Sequence, residues 1–303
     1  MVTRISHVAI EVPDLDEAIA FYTGFIGLRE VERRGDTVYL SANVRHHELV
    51  LARSGAGRAG LLHVGLEVAA GTLGTCVAQA LDAGAEHARE LDEPGVGQAV
   101  LVHAPQGFAI EIFEGMKTVE VPPIAGAIVP ERFGHFNLGM PDIDRWSLFL
   151  QEGLGFRRSD RAHDAEGTVI TWYHCPVLGA DHHGIANTRS PTARLHHIKW
   201  EYPDLAQVVE LVDRYGDSQR RLVWGMGRHG VDRSIFAYVE DPGGLMNELG
   251  IGMLKVDDSR HWSAPSDYPI DDPHAGDLWG SAVPQPWLEH GIPLADPPVA
   301  ASA

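Results

Sequence analysis

Cysteine is almost missing from this chain: Cys76 and Cys175 are the only two among 303 residues. Two cysteines cannot build a disulfide framework, so the small stapled secreted folds are excluded and a reducing compartment fits. Basic residues are scarce as well, with 24 Lys and Arg against 42 Asp and Glu, for a formal charge of −18. Gripping a phosphate backbone needs clustered Lys and Arg, so no nucleic-acid partner is expected. Nothing approaches the roughly 18 consecutive apolar residues of a membrane span. The start, MVTRISHVAI, lacks a basic segment followed by a long apolar one. The expectation is a cytoplasmic chain that engages neither membrane nor nucleic acid. Its length suggests two domains, at roughly 100–200 residues each.

What is plentiful is histidine, 17 residues of it. Histidine is the commonest metal ligand and a frequent proton carrier, but composition alone does not assign either role. A repeat does more. HVAIEVPDLDEAIAFYTGFIGL, from His7 to Leu28, returns as HFNLGMPDIDRWSLFLQEGLGF, from His135 to Phe156. The offset of 128 pairs His7 with His135, Pro13 with Pro141, Asp14 with Asp142, Phe21 with Phe149 and Gly27 with Gly155. An ungapped register of that length implies a duplicated unit.

Each copy reads as a strand followed by a helix. Val8, Ile10 and Val12 share one face of a strand by period two. Asp14 can cap the next helix, with Glu17 placed for a capping box. Leu15, Ile19, Tyr22 and Ile26 form its apolar stripe, and Gly27 suits its end. A second strand and helix start lies in each half: Leu61–Val68 before Leu73–Ala83, and Leu195–Tyr202 before Leu205–Tyr215. Shorter β-like runs cover Asp36–Ser41, Glu48–Ala52, Val169–His174 and Ile235–Val239. The organisation is then a first domain over 1–117, a linker rich in Pro, Val and Ala over 118–130, a second domain over 131–254, and a tail over 255–303. The tail carries Trp262, Tyr268, Trp279 and Trp287, too many large aromatics for a free segment, so it is expected to dock on the body.

In the second half His135 opens one strand, His197 lies in another, and Glu248 follows the turn Asp241–Pro242–Gly243–Gly244. Two His and one carboxylate from three strands make a facial triad, which leaves about half of an octahedral shell open. The stretches FGHFNLGM, LHHIKWEY and FAYVEDPGGLMNELG resemble the ligand motifs of type I extradiol catechol dioxygenases, in the vicinal-oxygen-chelate superfamily. That resemblance implies an α+β fold of two domains, each made of paired βαβββ modules that form an open, cup-like barrel. It implies a metal held by His135, His197 and Glu248, Fe(II) first, with Mn(II) suited to the same ligands. It places the acid–base histidine at His183 in DHHGIAN, a tyrosine at Tyr238 and a further histidine at His229. Asn137, two residues after the first ligand, falls on the same strand face. Asn137, His229, Tyr238 and Asp232 are the expected substrate contacts. The implied partners are O2 and a catechol-type diol, and the implied assembly is a homo-oligomer.

The first half carries the same triad pattern in His7, His63 and Glu111, with His46–His47 echoing His182–His183. The counterparts of Asn137 and Tyr238, however, are Ala9 and Leu101, which offer no side-chain hydrogen bond. The expectation is therefore a metal-free first domain. Trp224 stands where relatives that take acidic catechols carry arginine, which favours a neutral substituent, since a buried carboxylate needs a partner. Two other classes stay open at this point. One is a non-redox enzyme of the same superfamily, an isomerase, epimerase or lyase; the other is a metal-free module that binds small molecules. Neither needs the pair His183 and Tyr238.

Overall fold

The computed structural model describes residues 1–120, 126–256, 266–272 and 275–296. The first half contributes β1 (Val2–Val12), β2 (Arg29–Arg34), β3 (Thr37–Ser41), β4 (Leu49–Arg53), β5 (Gly60–Val68), β6 (His87–Leu91), β7 (Ala99–His103) and β8 (Ala109–Glu114). They form one sheet in the order β2-β3-β4-β1-β5-β8-β7-β6. The second half contributes β9 (Arg132–Met140), β10 (Arg157–Asp164), β11 (Gly167–His174), β12 (Ala180–Asp181), β13 (Ile185–Arg189), β14 (Arg194–Glu201), β15 (Trp224–Arg228), β16 (Ile235–Glu240) and β17 (Met246–Ile251). Its sheet, read from β10, runs β10-β11-β13-β9-β14-β17-β16-β15, the same topology as the first. In each half two βαβββ modules meet at a central antiparallel pair, β1 with β5 and β9 with β14. Neither sheet closes on itself, which leaves a curved cup.

Helices α1 (Leu15–Phe21), α2 (Leu73–Asp82), α3 (Ile143–Leu148) and α4 (Leu205–Asp217) cover the outer faces. Asp14 caps α1 by accepting from Asp16 N and Glu17 N; the Glu17 side chain is exposed and does not complete the capping box. The helical stripe continues through Tyr22–Ile26 as a wider π turn. Gly27 ends it with φ +96°, and a Cβ there would stand 2.0 Å from Ile128 O, so only glycine fits.

One continuous apolar core runs through both halves, from Val2 and Ile10 to Trp200 and Leu249. The halves are also stitched by buried polar contacts. Tyr22 Oη donates to Asp241 Oδ2 at 2.7 Å, and Tyr202 Oη donates to Ile26 O at 2.9 Å. Cys76 lies in α2 and Cys175 just beyond β11, both buried and unpaired with each other.

The C-terminal stretch contributes β18 (Lys255–Val256), β19 (Ser266–Pro269), α5 (Gln285–Glu289) and β20 (Ile292–Pro293). β19 pairs with β10, and β20 with the start of β14. Trp287 is buried, Tyr268 packs on the same apolar cluster, and Trp279 is exposed. Trp262 lies outside the described residues, as do residues 121–125 of the expected linker. No described helix is long and apolar enough to cross a membrane.

Candidate metal centre

The central strands of the second sheet bring three ligand-type atoms together. His135 lies on β9 and His197 on its antiparallel neighbour β14, and β17 runs beside β14 to deliver Glu248. His135 Nε2 is 3.0 Å from His197 Nε2 and 3.4 Å from Glu248 Oε2; His197 Nε2 is 3.6 Å from the same oxygen. Adjacent ligands of an octahedral ion at about 2.1 Å lie roughly 3 Å apart. Two imidazole nitrogens and a carboxylate oxygen at these separations fit a divalent first-row metal, and all three residues are buried.

Glu248 has two further neighbours, one on each side in register. Lys199 is its partner across β14 and Tyr238 its partner across β16. Lys199 Nζ lies 2.9 Å from Oε1, and Tyr238 Oη donates to Oε2 at 2.9 Å. Burial alone would raise the Glu248 carboxyl, but Lys199 and then His135 hold it well below the usual carboxylate range. Burial would likewise lower Lys199, yet Glu201, at 3.3 Å, and Glu248 keep it above its usual value. The residue is therefore charged in both cases, and the pair is mutually dependent.

Around the triad the other expected residues fall as follows. His183 is buried with its ring 4.3 Å from that of His135. Behind it, His182 Nδ1 lies 3.1 Å from His183 Nδ1, and His182 Nε2 meets Asp160 Oδ2 at 2.9 Å. Asp160 also accepts from Ser266 N in β19. Burial, then the neighbouring His135, holds His183 well below the ordinary imidazole value, so it is a neutral base at pH 7. His229 Nε2 is 3.3 Å from Tyr238 Oη. Thr188 Oγ1 donates to Asn137 Oδ1 at 3.0 Å, which leaves the Asn137 amide N–H free to donate into the cavity. Asp232 differs from expectation. It does not line the cavity; its carboxylate accepts from Ser234 N and Oγ and stands 3.9 Å from His183 Nδ1. Its place is behind the wall, supporting rather than touching a ligand.

The triad lies in a cavity of about 510 Å³, measured to its open mouth. The walls are Ile170, Trp172, Trp224, Val231, Ile270 and Trp287, and among the described residues no Lys or Arg lines it. Trp287, from α5, was not singled out for the site by sequence reasoning. Its carbonyl accepts from His196 Nε2 at 2.7 Å, and His196 Nδ1 is 2.7 Å from His197 Nδ1. The tail thus reaches a ligand through one intervening ring. Lys199 was missed too, although it lies two residues after His197 and so on the same strand face.

Proteins similar to this chain in sequence and in fold are known. The chain is 27% identical over 326 residues to the metapyrocatechase of Geobacillus stearothermophilus, covering 97% of this chain and 94% of that protein. It is 25% identical over 262 residues to a manganese-dependent 2,3-dihydroxybiphenyl 1,2-dioxygenase of Geobacillus genomosp. 3, covering 80% and 82%. The crystal structure of homoprotocatechuate 2,3-dioxygenase from Arthrobacter globiformis superposes with a TM-score of 0.85 at 26% identity, over 97% of this chain and 93% of that one. A family profile matches residues 4–112 and 132–249, one stretch in each half. The chain belongs to the Glyoxalase/Bleomycin resistance protein/Dioxygenase superfamily.

Proposed function

We propose that this protein is a metal-dependent extradiol dioxygenase, which breaks the ring bond next to a catechol-type diol and places both atoms of O2 in the product. The observation that carries the reading is the triad of His135, His197 and Glu248 at the base of an apolar cavity, with His183 against one ligand ring and Tyr238 against the carboxylate. The metal is Fe(II), with Mn(II) suited to the same donors; once bound, it supplies a shared centre on which diol oxygens and O2 are oriented and polarised.

The residues divide the remaining work. His183, neutral and screened from water, accepts the proton of a diol hydroxyl and returns it to oxygen later in the reaction. The line His183, His182, Asp160 fixes its ring and tautomer, as a carboxylate behind a functional imidazole does. Tyr238, His229 and the Asn137 amide donate to oxygen atoms as negative charge develops on them. The product balances as one diol plus one O2: one ring C–C bond is lost, and the two new oxygens become part of a carboxylate and a carbonyl.

The walls also address substrate. A carboxylate-bearing diol would bury its charge against Trp224 and Ile170, with no Lys or Arg among the described residues that line the cavity, a costly placement. The substrate is therefore a neutral diol, bare or carrying an apolar substituent. The isomerase, lyase and binding-module readings make no use of His183 beside the triad, and the relatives named above carry dioxygenase or metapyrocatechase names. A cytoplasmic site of action and a homo-oligomeric state belong to the same proposal; light scattering on the purified chain tests the latter.

The test is anaerobic loading with Fe(II) or Mn(II), then exposure of a panel of neutral and acidic catechols to O2. A yellow ring-opened product with one O2 consumed per diol is expected, with neutral diols preferred. A protein holding stoichiometric metal that consumes no O2 with any diol would overturn the assignment. Preference for the acidic members would overturn only the substrate class.

A further inference from the structure

The first sheet brings His7, His63 and Glu111 into the same relation as the second-half triad. His7 Nε2 stands 2.9 Å from Glu111 Oε2 and His63 Nε2 stands 3.3 Å from the same oxygen. The strands correspond position by position. Ala9 lies opposite His63 as Asn137 lies opposite His197. Leu101 lies opposite Glu111 as Tyr238 lies opposite Glu248, and Gly65 neighbours Glu111 as Lys199 neighbours Glu248. The support behind the rings is repeated as well. His46 Nδ1 is 2.9 Å from His47 Nδ1, and His46 Nε2 meets Glu32 Oε2 at 3.0 Å, the arrangement of His182, His183 and Asp160.

One difference decides the matter. Glu248 has the Lys199 ammonium beside it, whereas Glu111 has Gly65 there. A side chain at Gly65 is excluded, because its Cβ would lie 2.1 Å from His7 Cε1. Among the described residues, the only basic side chains within 4 Å of the Glu111 carboxylate are the imidazoles of His7 and His63. Glu111 and His7 are fully buried. Neither Glu111 oxygen has a hydrogen-bond partner, and neither do His7 Nε2, His47 Nε2 and His63 Nε2. The short contacts are not well-aligned hydrogen bonds, and two imidazole nitrogens and a carboxylate oxygen converge on one point. A buried carboxylate with no built-in cation and imidazole nitrogens aimed at it is a set of ligands awaiting a positive ion.

We infer that the first half holds a second divalent metal ion, bound by His7, His63 and Glu111. Two imidazoles and one carboxylate suit a first-row metal, Mn(II) or Fe(II) among them. This site is not a second centre of turnover, because Ala9 and Leu101 replace the donors that a reacting oxygen needs. The ion ties β1, β5 and β8 together at the middle of the first sheet and does there the charge balancing that Lys199 does in the second. The expectation of a metal-free first domain rested on Ala9 and Leu101, which bear on catalysis and not on ligation.

The experiment is a count of Mn(II) bound to the full-length chain after chelator treatment and equilibrium dialysis, read by elemental analysis and electron paramagnetic resonance. The wild type is expected to hold two ions. Glu111→Gln and His63→Ala are each expected to hold one and to keep turnover on a catechol. The double variant His135→Ala/Glu248→Gln, which leaves the first half untouched, is expected to hold one ion and turn nothing over. It decides the question even if the first-half variants fail to fold. One ion in the wild type together with none in that double variant would overturn the inference. So would a second ion that survives both Glu111→Gln and His63→Ala.

Discussion

Lys199 is fully buried, with two carboxylates, Glu248 and Glu201, within 3.3 Å of its ammonium. Removing one member of a buried ion pair leaves the other charge stranded, at a cost of about 3–5 kcal/mol. Lys199→Met should therefore lower the stability of the metal-free protein by about that amount in denaturant unfolding. Bound metal should return part of the loss, because the ion replaces the missing charge on Glu248. An unchanged unfolding midpoint would show that the pair carries no such weight. His183 is argued from position, with its ring on His135 and His182 behind it. His183→Phe should keep its metal and bind diol, yet turn over about 10²–10⁴ times more slowly in a single-turnover measurement. Full activity, or lost metal, would remove the role. At this scale motif and spacing picked out His135, His197, Glu248, His183 and Tyr238, which the fold gathers around one cavity. The sequence was opaque where a residue's usual habit misleads. A lysine in a strand reads as solvent-facing, and Asp232 reads as a ligand contact until its bonds to Ser234 are seen.

The elements that could be read from pattern are the local ones. The helix expected over Leu73–Ala83 is α2, Leu73–Asp82, and the run expected over Ile235–Val239 is β16, Ile235–Glu240. Apolar period and capping act within a few residues of each other, so a window of sequence contains them. The C-terminal elements were anticipated only as docked aromatics. Their partners lie about a hundred residues away, β19 beside β10 and α5 over the cavity, and no local rule encodes that. The prediction at this level concerns Trp287 in α5, 4% exposed. Truncating a buried Trp to Ala costs about 3–5 kcal/mol in a core. Trp287→Ala should lose roughly that much stability and raise KM for apolar diols more than for catechol itself, since it removes one cavity wall. Metal content should hold, because the carbonyl that meets His196 belongs to the backbone. An equal KM rise for every diol would argue that the helix as a whole had come away.

The molecule as a whole is two copies of one topology fused through a shared core. The repeat at an offset of 128 announced the duplication, but not the stitches between copies. Tyr22 and Asp241 are 219 residues apart and share a 2.7 Å hydrogen bond. Burial, tempered by the bonds from Tyr22 and Leu245, pushes the Asp241 carboxyl up to about 6 from 3.8. A raised carboxyl binds its proton more readily when folded. Its stabilising contribution is thus full below about pH 4 and is lost as pH rises through about 6, a change of roughly 3 kcal/mol. Asp241→Asn keeps the shape without the charge. Its stability relative to wild type should climb by up to roughly 3 kcal/mol between pH 4 and 7, measured by urea unfolding. A difference that stays flat across that range would place the titration elsewhere.

Each half carries a single cysteine, and both are hidden: Cys76 is 1% exposed in α2 and Cys175 is 7% exposed beyond β11. Burial raises both thiols, Cys175 to about 12, so neither is a thiolate at neutral pH and a disulfide reagent must wait for the chain to open. The pair is therefore a natural two-channel clock. Labelling of Cys76 times the opening of the first half and labelling of Cys175 that of the second, each resolved by peptide mass. If the halves breathe as one unit, the two clocks will keep the same time; if they do not, the gap between them measures how loosely the copies are coupled.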